Sequence, residues 1–315
     1  MTTIGRVDLV YAARYGGELA DHLPMAISAL ARMGASAERI AEFTRIYVAE
    51  KSLRPIDERD AEFQARGEMH ARIDRESRET VLREEFRSLG AGLGAGAFHA
   101  LIRVAYGFVD ENDAEIAAGL IYWREAALDL GHSVTPLDDA GFDVAEKLGA
   151  ARQRLGRLPQ TFTGMIADRM AAVARDPAFP AVVGRPRFSS ASLADVAAVS
   201  VRAFAATQNF TILHAMTATH AMRLLRPLSD DPDALMESLW RAYVAAYVSA
   251  GAPEIPATPS VDPARLPSWE TLRTIACASN NEHAIKATYT AWSEDAVYND
   301  ASYRIAIARY LKLPL

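Results

Sequence analysis

The sequence predicts an all-α protein, and three features of the chain support this fold class. Apolar residues recur at a spacing of about 3.6 in nearly every periodic segment. Ala and Leu dominate those segments, and no series of alternating Val, Ile and Thr runs lies between turn signals. We therefore expect a multi-helix, bundle-like protein over residues 1–315, built as a single domain or as two packed helical lobes. The Pro- and Gly-rich segment 176–190 is the candidate boundary between lobes.

The first two predicted helices form an antiparallel hairpin. Asp21 can cap a helix that carries Pro24 in its first turn, where a missing N–H does little harm, and that runs to about Gly34. Ser36 then begins a second helix that extends to about Glu50. The linker between the two helices is short, and short linkers favour antiparallel neighbours.

The rest of the chain continues the helical pattern. Residues 56–87 are dense in Arg and Glu, which predicts one or two helices with a solvated face. The glycines between 90 and 96 follow a charged helix instead of a strand, so we interpret them as a close helix contact and not as a nucleotide-binding loop. Further helices are predicted from His99, from Ser192 or Asp195 into 208–228, and over approximately 113–128, 142–155, 160–175, 230–249, 269–278 and 300–311.

Composition limits the partners of the protein. The net charge of −6 over 315 residues provides no broad basic field for nucleic acid. No segment approaches the ~20 apolar residues that span a bilayer, and the amino terminus lacks a basic leader followed by an apolar run, so we expect no membrane partner and a cytoplasmic location. The single cysteine, Cys277, excludes an intramolecular disulfide and fits a reducing compartment. The oligomeric state stays open.

The segment NNEHAIKATY carries the clearest chemistry. His283 and Lys286 lie one helical turn apart, and Asn280 or Asn281 can cap the helix that holds them. The positive end of the helix dipole favours the neutral forms of both side chains. A neutral imidazole is a metal ligand and a neutral amine is a nucleophile, so this helix is a candidate site.

Four histidines, His22, His99, His214 and His283, stand near the start or middle of four separate apolar helices. Helical bundles build metal sites from such inward-facing side chains, although each residue could instead be a hydrogen-bonded core histidine. Imidazole alone suits Fe, Zn, Cu or Ni, so residue type does not select the metal.

The remaining histidines are assigned no role at the site. His214 and His220 are six residues apart, about 240° around a helix, so both cannot easily point at one atom. His214 shares its face with small residues and is the favoured ligand. His70 belongs to a charged helix, and His132 falls in a predicted loop where a solvated imidazole is expected.

Four segments together resemble the motifs of one family. In DHLPMAISALARMGAS, Asp21 stands where an Asn of the motif precedes its His, and Met25 and Ala26 stand where fungal members often have further histidines. FHALIRVAYGF is similar to His-Pro-Leu-Ile-His-Leu-Gly-Tyr-Gly, with Ala100 at the Pro and Arg103 at the second His. NFTILHAMTAT is similar to Phe-Phe-Leu-Met-His-Leu-Val-Thr-Ser, and NNEHAIKATY to Asp-Asp-Glu-His-Val-Val-Lys. These motifs resemble the questin oxidase-like family, named for fungal enzymes that open the ring of anthraquinones.

The resemblance implies a non-haem iron oxygenase that uses O2 and acts on an aromatic polyketide-like, quinone or hydroquinone substrate. It implies an Fe(II) site held by four histidines and by a lysine carboxylated on its amine. Residue by residue, the implied ligands are His22, His99, His214, His283 and Lys286. We further predict that Arg103, Tyr106 and Thr217 contribute to catalysis, with Arg103 and Tyr106 orienting the substrate.

Two alternatives follow from the same residues. The first is a metal-independent Baeyer–Villiger-type oxidase that uses NADPH, although the sequence has no dinucleotide-binding fingerprint. NADPH is also a candidate reductant for the iron enzyme. The second alternative is a non-catalytic helical protein that binds a ligand and packs its histidines in the core.

Overall fold

The computed structural model of the chain describes residues 11–131, 141–156, 163–257, 261 and 265–314. These residues form fifteen α-helices, two short 3-10 turns and one two-stranded antiparallel hairpin, which confirms the all-α class. The helices are α1 (Leu23–Met33), α2 (Ala37–Glu50), α3 (Ala61–Glu76), α4 (Arg78–Leu89), α5 (His99–Val109), α6 (Asp113–Ala126), α7 (Val144–Leu155), α8 (Ile166–Ala174), α9 (Phe179–Val183), α10 (Ser192–Thr207), α11 (Phe210–Leu225), α12 (Pro232–Ser249), α13 (Trp269–Ala278), α14 (Glu282–Tyr298) and α15 (Ser302–Tyr310).

The chain divides into two compact units. The first takes its described residues from Met1–Arg78, Arg103–Tyr122 and Ser260–Leu315, and the second from Glu79–Ile102 and Trp123–Pro259. The predicted boundary segment 176–190 is not one of these division points, because it lies inside the second unit and contains α9.

In the first unit, α1 packs against α2 and α14, and α14 packs against α15. Local sequence sets the ends of these helices. Ser36 caps α2 by accepting a hydrogen bond from the Arg39 amide, and Gly34 ends α1 in the left-handed conformation at φ 93°. The predicted cap at Asp21 is shifted by one residue. His22 occupies the N-cap position, while an Asp21 carboxylate oxygen accepts from the Leu23 amide at 2.9 Å.

Helices α5 and α6 approach each other closely where small residues meet within the first unit. A Cβ atom at Gly119 would lie 2.9 Å from the Val104 backbone nitrogen, and one at Gly107 would lie 2.8 Å from the Ile116 nitrogen. Only glycine permits such backbone approach, so these two positions fix the packing distance of the helix pair.

The second unit is built around α10, α11 and α12, which pack in sequence order, with α8 also against α12. Trp240 is buried and donates its indole N–H to the Val183 carbonyl at 3.1 Å. The glycines between 90 and 96 make the close contact that the sequence predicts. A Cβ at Gly92 would meet the Ala127 Cβ at 3.0 Å.

Several element boundaries differ from expectation. The helix predicted over 160–175 is described only as Ile166–Ala174, and the charged segment 56–87 forms α3 and α4 separated at Ser77, which has a positive φ of 80°. No sequence pattern predicted the hairpin of β1 (Arg14–Tyr15) and β2 (Leu19–Ala20), because its strands are too short to show alternation. The predicted loop at His132 lies outside the described residues. Among the described helices, none has the length and apolar character that crossing a membrane requires.

Candidate metal centre

In the second unit, His99 and His214 face each other through their Nε2 atoms, which lie 3.1 Å apart. His99 begins α5 and His214 lies on the second turn of α11. Both rings are held from behind by backbone carbonyls. The His99 Nδ1 contacts the Gly96 carbonyl, and the His214 Nδ1 lies 2.7 Å from the Phe210 carbonyl one turn earlier.

These carbonyl contacts decide where the ring protons lie. A carbonyl oxygen can only accept, so each Nδ1 carries the hydrogen that is donated to it. In the neutral rings, each Nε2 then carries a lone pair instead of a hydrogen. The two lone pairs face each other, because the Nε2 atoms lie 3.1 Å apart. Such an arrangement is repulsive unless a cation sits between or beside the two nitrogens. The two Nε2 atoms can therefore bind a metal ion or share a proton.

The turn that delivers His99 is strained. Ala97 and Phe98 adopt positive φ values of 58° and 70°, in the left-handed region that non-glycine residues rarely use. Conformations of this kind cost on the order of 1 kcal/mol each and persist where surrounding structure fixes them. Here the turn places the Gly96 carbonyl behind the His99 ring.

In the first unit, His22 and His283 form a second pair, with ring centroids 4.7 Å apart and planes tilted by 59°. His22 stands at the N-cap position of α1, and its backbone N–H donates to the Tyr47 hydroxyl at 3.0 Å. His283 lies in the first turn of α14. As predicted, Asn281 caps this helix by accepting from the amides of His283 and Ala284. The Glu282 carboxylate lies 3.6 Å from the His283 Nδ1.

Lys286 lies one turn beyond His283 and is buried, with 3% of its surface exposed. Burial lowers the pKa of its amine from 10.5 to about 7, while the carboxylates of Glu282 and Asp21 act in the opposite direction. A substantial fraction of this amine is therefore neutral near pH 7, as a nucleophilic or ligand role requires.

Arg103, expected to face the substrate, is fully buried in an ion pair with Glu115 of α6. Its Nε and Nη2 donate to the two carboxylate oxygens at 2.6 and 3.1 Å. Burial raises the pKa of Glu115, and Arg103 lowers it. Burial also raises the pKa of Asp21, with Arg103 again the main opposing charge. Arg103 thus neutralises buried carboxylates in the first unit, whatever further role it has.

Tyr106 and Thr217 are both buried. The Tyr106 ring lies 5.7 Å from the Tyr289 ring, and burial raises the pKa of its hydroxyl well above the ordinary value, so the phenol stays protonated. The Thr217 hydroxyl donates to the His214 carbonyl at 2.9 Å, which leaves its oxygen as an acceptor. His220, on the same helix as His214, is likewise buried.

Sequence reasoning missed three residues that support these side chains: Tyr47, Arg39 and Glu115. The signal for Glu115 was a carboxylate within the apolar pattern of α6, three residues into the helix. Tyr47 shows in sequence only as one more apolar position of α2, so its hydrogen bond to His22 could not be read from the pattern.

The fold and these side chains define an all-α protein whose two units each hold a histidine pair. The pair of the second unit is buried, whereas in the first unit His22 is buried and His283 is half-buried, with the low-pKa amine of Lys286 one turn further along α14. The family model described as questin oxidase-like matches residues 70–291, well over half of the chain, so the protein belongs to the questin oxidase-like family. It is accordingly an oxidoreductase of the oxygenase type with a small-molecule substrate. The match contains His99, His214, His283 and Lys286, whereas His22 precedes it. No curated protein matches the chain.

Proposed function

We propose that this protein is a non-haem Fe(II)-dependent oxygenase that uses O2 and acts on an aromatic polyketide-like, quinone or hydroquinone substrate. The ligands in this proposal are His22, His99, His214, His283 and a carboxylated Lys286. The observation that carries it is the His99–His214 pair, because two imidazoles anchored by carbonyls bring their Nε2 atoms to 3.1 Å from each other, and neutral imidazole nitrogens so placed can bind one cation.

The donor set is chemically suited to iron. Imidazole nitrogens bind Fe(II), and the four proposed histidines would supply such donors. A purely imidazole set is neutral, so an anionic oxygen donor would complement it. The buried amine of Lys286 can provide that oxygen once it is carboxylated.

Carboxylation of Lys286 follows from the neutral amine. The nitrogen lone pair attacks the carbon of CO2, a C–N bond forms, one C–O π bond opens to a carboxylate, and the nitrogen transfers one proton to water. A lysine whose pKa is about 7 reaches the reactive form near neutral pH, whereas one at 10.5 would not. Burial, which lowers this pKa, thus serves the chemistry directly.

Bound iron would supply the electrons that activate O2. The chain itself would contribute orientation and exclusion of water. The carbonyls of Gly96 and Phe210 hold the rings of His99 and His214 in one tautomer. We assign substrate orientation to Arg103 and Tyr106, and a further catalytic contribution to Thr217. The Arg103 Nη1 is buried and makes no hydrogen bond within the described part of the chain, and a substrate oxygen would supply the acceptor that it lacks.

Metal analysis after anaerobic purification tests the proposal. We expect one iron per chain in the wild type, and its loss in His214→Ala. The matched control is His220→Ala, which removes a second buried histidine six residues away on the same helix and should keep the iron. Circular dichroism establishes that both variants fold. With ¹³C-labelled CO2, a carbamate signal should appear in the wild type and be absent from Lys286→Met.

Three results would overturn the proposal. The first is a wild type that takes up no iron even when Fe(II) is supplied anaerobically. The second is equal iron content in the two histidine variants. The third is steady consumption of NADPH by metal-free protein with a quinone, which would favour the metal-independent oxidase. Recovery of an unchanged aromatic ligand from metal-free protein would instead favour a binding protein.

A further inference from the structure

Arg39 on α2 connects that helix to the segment that precedes α14. Its Nε donates to the Cys277 carbonyl at 2.7 Å. Its Nη2 donates to the Ser279 carbonyl at 2.6 Å and to the Asn280 side-chain oxygen at 2.7 Å. One guanidinium thus holds three acceptors that follow one another along the chain, more than 230 residues away in sequence.

The segment that Arg39 holds ends one helix and begins the next. The Cys277 carbonyl belongs to the last turn of α13, where carbonyls lack partners within the helix, and a cation there is favourable. Ser279 then accepts the Asn281 amide on its hydroxyl at 3.0 Å, and Asn281 caps α14 through the amides of His283 and Ala284. A continuous series of hydrogen bonds therefore connects Arg39 to the first turn of α14.

Arginine is suited to this task because its donors are arranged in a planar fork. Its side chain is half-buried, and 16% of it is exposed. A lysine could approach one or two of the three acceptors as a point charge, but it could not reproduce the directions of the bonds. The start of α14 would then be free to shift, and His283 and Lys286 would shift with it.

The same helix also holds the other histidine of the first unit. Tyr47, eight residues after Arg39, accepts the backbone N–H of His22 at 3.0 Å. Helix α2 is thereby attached at one end to the segment before His283 and at the other to His22. The spacing of the two imidazoles, whose ring centroids lie 4.7 Å apart, depends on this shared support.

We propose that Arg39 is a positioning residue for the metal site: it fixes the first turn of α14, and so the placement of His283 and Lys286, without touching the metal. This inference rests on the proposed function. In metal sites, groups that orient the ligands typically affect affinity about 10- to 100-fold when they are lost.

The experiment compares Arg39→Gln with Arg45→Gln, which removes the same charge from an exposed position on the same helix. Co²⁺ is the probe, because its visible spectrum reports ligand geometry. For Arg39→Gln we expect a 10- to 100-fold weaker Kd for Co²⁺ and displaced visible bands. Arg39→Lys should fall between wild type and Arg39→Gln, and Arg45→Gln should match the wild type.

A second measurement does not need the metal. Amide hydrogen exchange of the metal-free protein should be roughly fivefold faster at His283 and Ala284 in Arg39→Gln, which corresponds to about 1 kcal/mol of lost capping support. If the wild type binds no Co²⁺, the proposed metal function fails, and this exchange result alone decides the role of Arg39. Unchanged amide exchange in Arg39→Gln would overturn the positioning role of Arg39. So would an Arg39→Gln variant that is less stable but retains the wild-type Co²⁺ affinity and spectrum.

Discussion

Replacing Lys286 by methionine should change how the stability of the metal-free protein depends on pH. The amine has a pKa of about 7 in the folded protein and an ordinary value of 10.5. Below pH 7 the folded chain must bury a charged ammonium or lose its packing, so the destabilisation by Lys286 is fully present there. As pH rises from about 7 to 10.5, the unfolded chain binds more protons than the folded chain, and stability rises.

The size of the effect follows from the two pKa values. The full difference between 10.5 and about 7 corresponds to about 5 kcal/mol of unfolding free energy. Between pH 6.5 and pH 9, about 2.5 kcal/mol of this destabilisation should disappear. Methionine fills a similar volume and carries no charge, so the variant should be more stable than the wild type at pH 6.5 and the advantage should shrink by pH 9.

Urea denaturation across this pH range is the assay, performed with a metal chelator and in buffer freed of CO2, so that neither a metal nor a carbamate forms. Lys312→Met, at an exposed position, is the control and should follow the wild-type profile. Parallel profiles for wild type and Lys286→Met from pH 6.5 to 9 would show that Lys286 is not a desolvated amine and does not reach its nucleophilic form near neutral pH.

Two further predictions concern packing in the first unit. Arg103→Met should lower the unfolding free energy by about 3–5 kcal/mol, because Glu115 is left buried without its partner. Urea denaturation measures this, and a variant that also carries Glu115→Leu should recover part of the loss; no recovery would contradict the role of the charge. Gly119→Ala should cost about 1–3 kcal/mol, because its Cβ would lie 2.7 Å from the Val104 side chain. Gly67→Ala, on an open face of α3, should instead stabilise the protein by about 0.5–1 kcal/mol. Equal shifts in Tm for the Gly119→Ala and Gly67→Ala variants would contradict the close approach of α5 and α6.

Much of the helical framework could be predicted from sequence because its signals are local. Ser36 and Asn281 act as caps through bonds to amides two or three residues away, and such contacts depend on the order of residues alone. The segment 176–190 shows the limit of this reasoning. Proline and glycine do mark helix ends there, but whether such a break also separates compact units depends on contacts between distant parts of the chain.

The ligand set stays a prediction, and the sequence indicated only part of the geometry around those side chains. His283 and Lys286 share a helix face by spacing alone, whereas the tautomers of His99 and His214 depend on carbonyls whose orientation the pattern does not contain. Arg103 illustrates the same limit. Its position beside Tyr106 on α5 indicated a substrate contact, and its bond to Glu115 arises only when α5 meets α6.

The anchored His99–His214 pair has a consequence for how the protein would acquire its metal. Both rings are oriented by backbone carbonyls three or four residues earlier in the sequence. The orientation of each ring is therefore set as α5 and α11 fold, before any ion is needed. With neither an ion nor a shared proton between them, the two facing lone pairs would make the chain less stable than a variant in which one ring is replaced by an apolar residue. Under the proposed function, metal loading would be the last step of maturation, and heat resistance that increases with added Fe(II) would be its measurable sign.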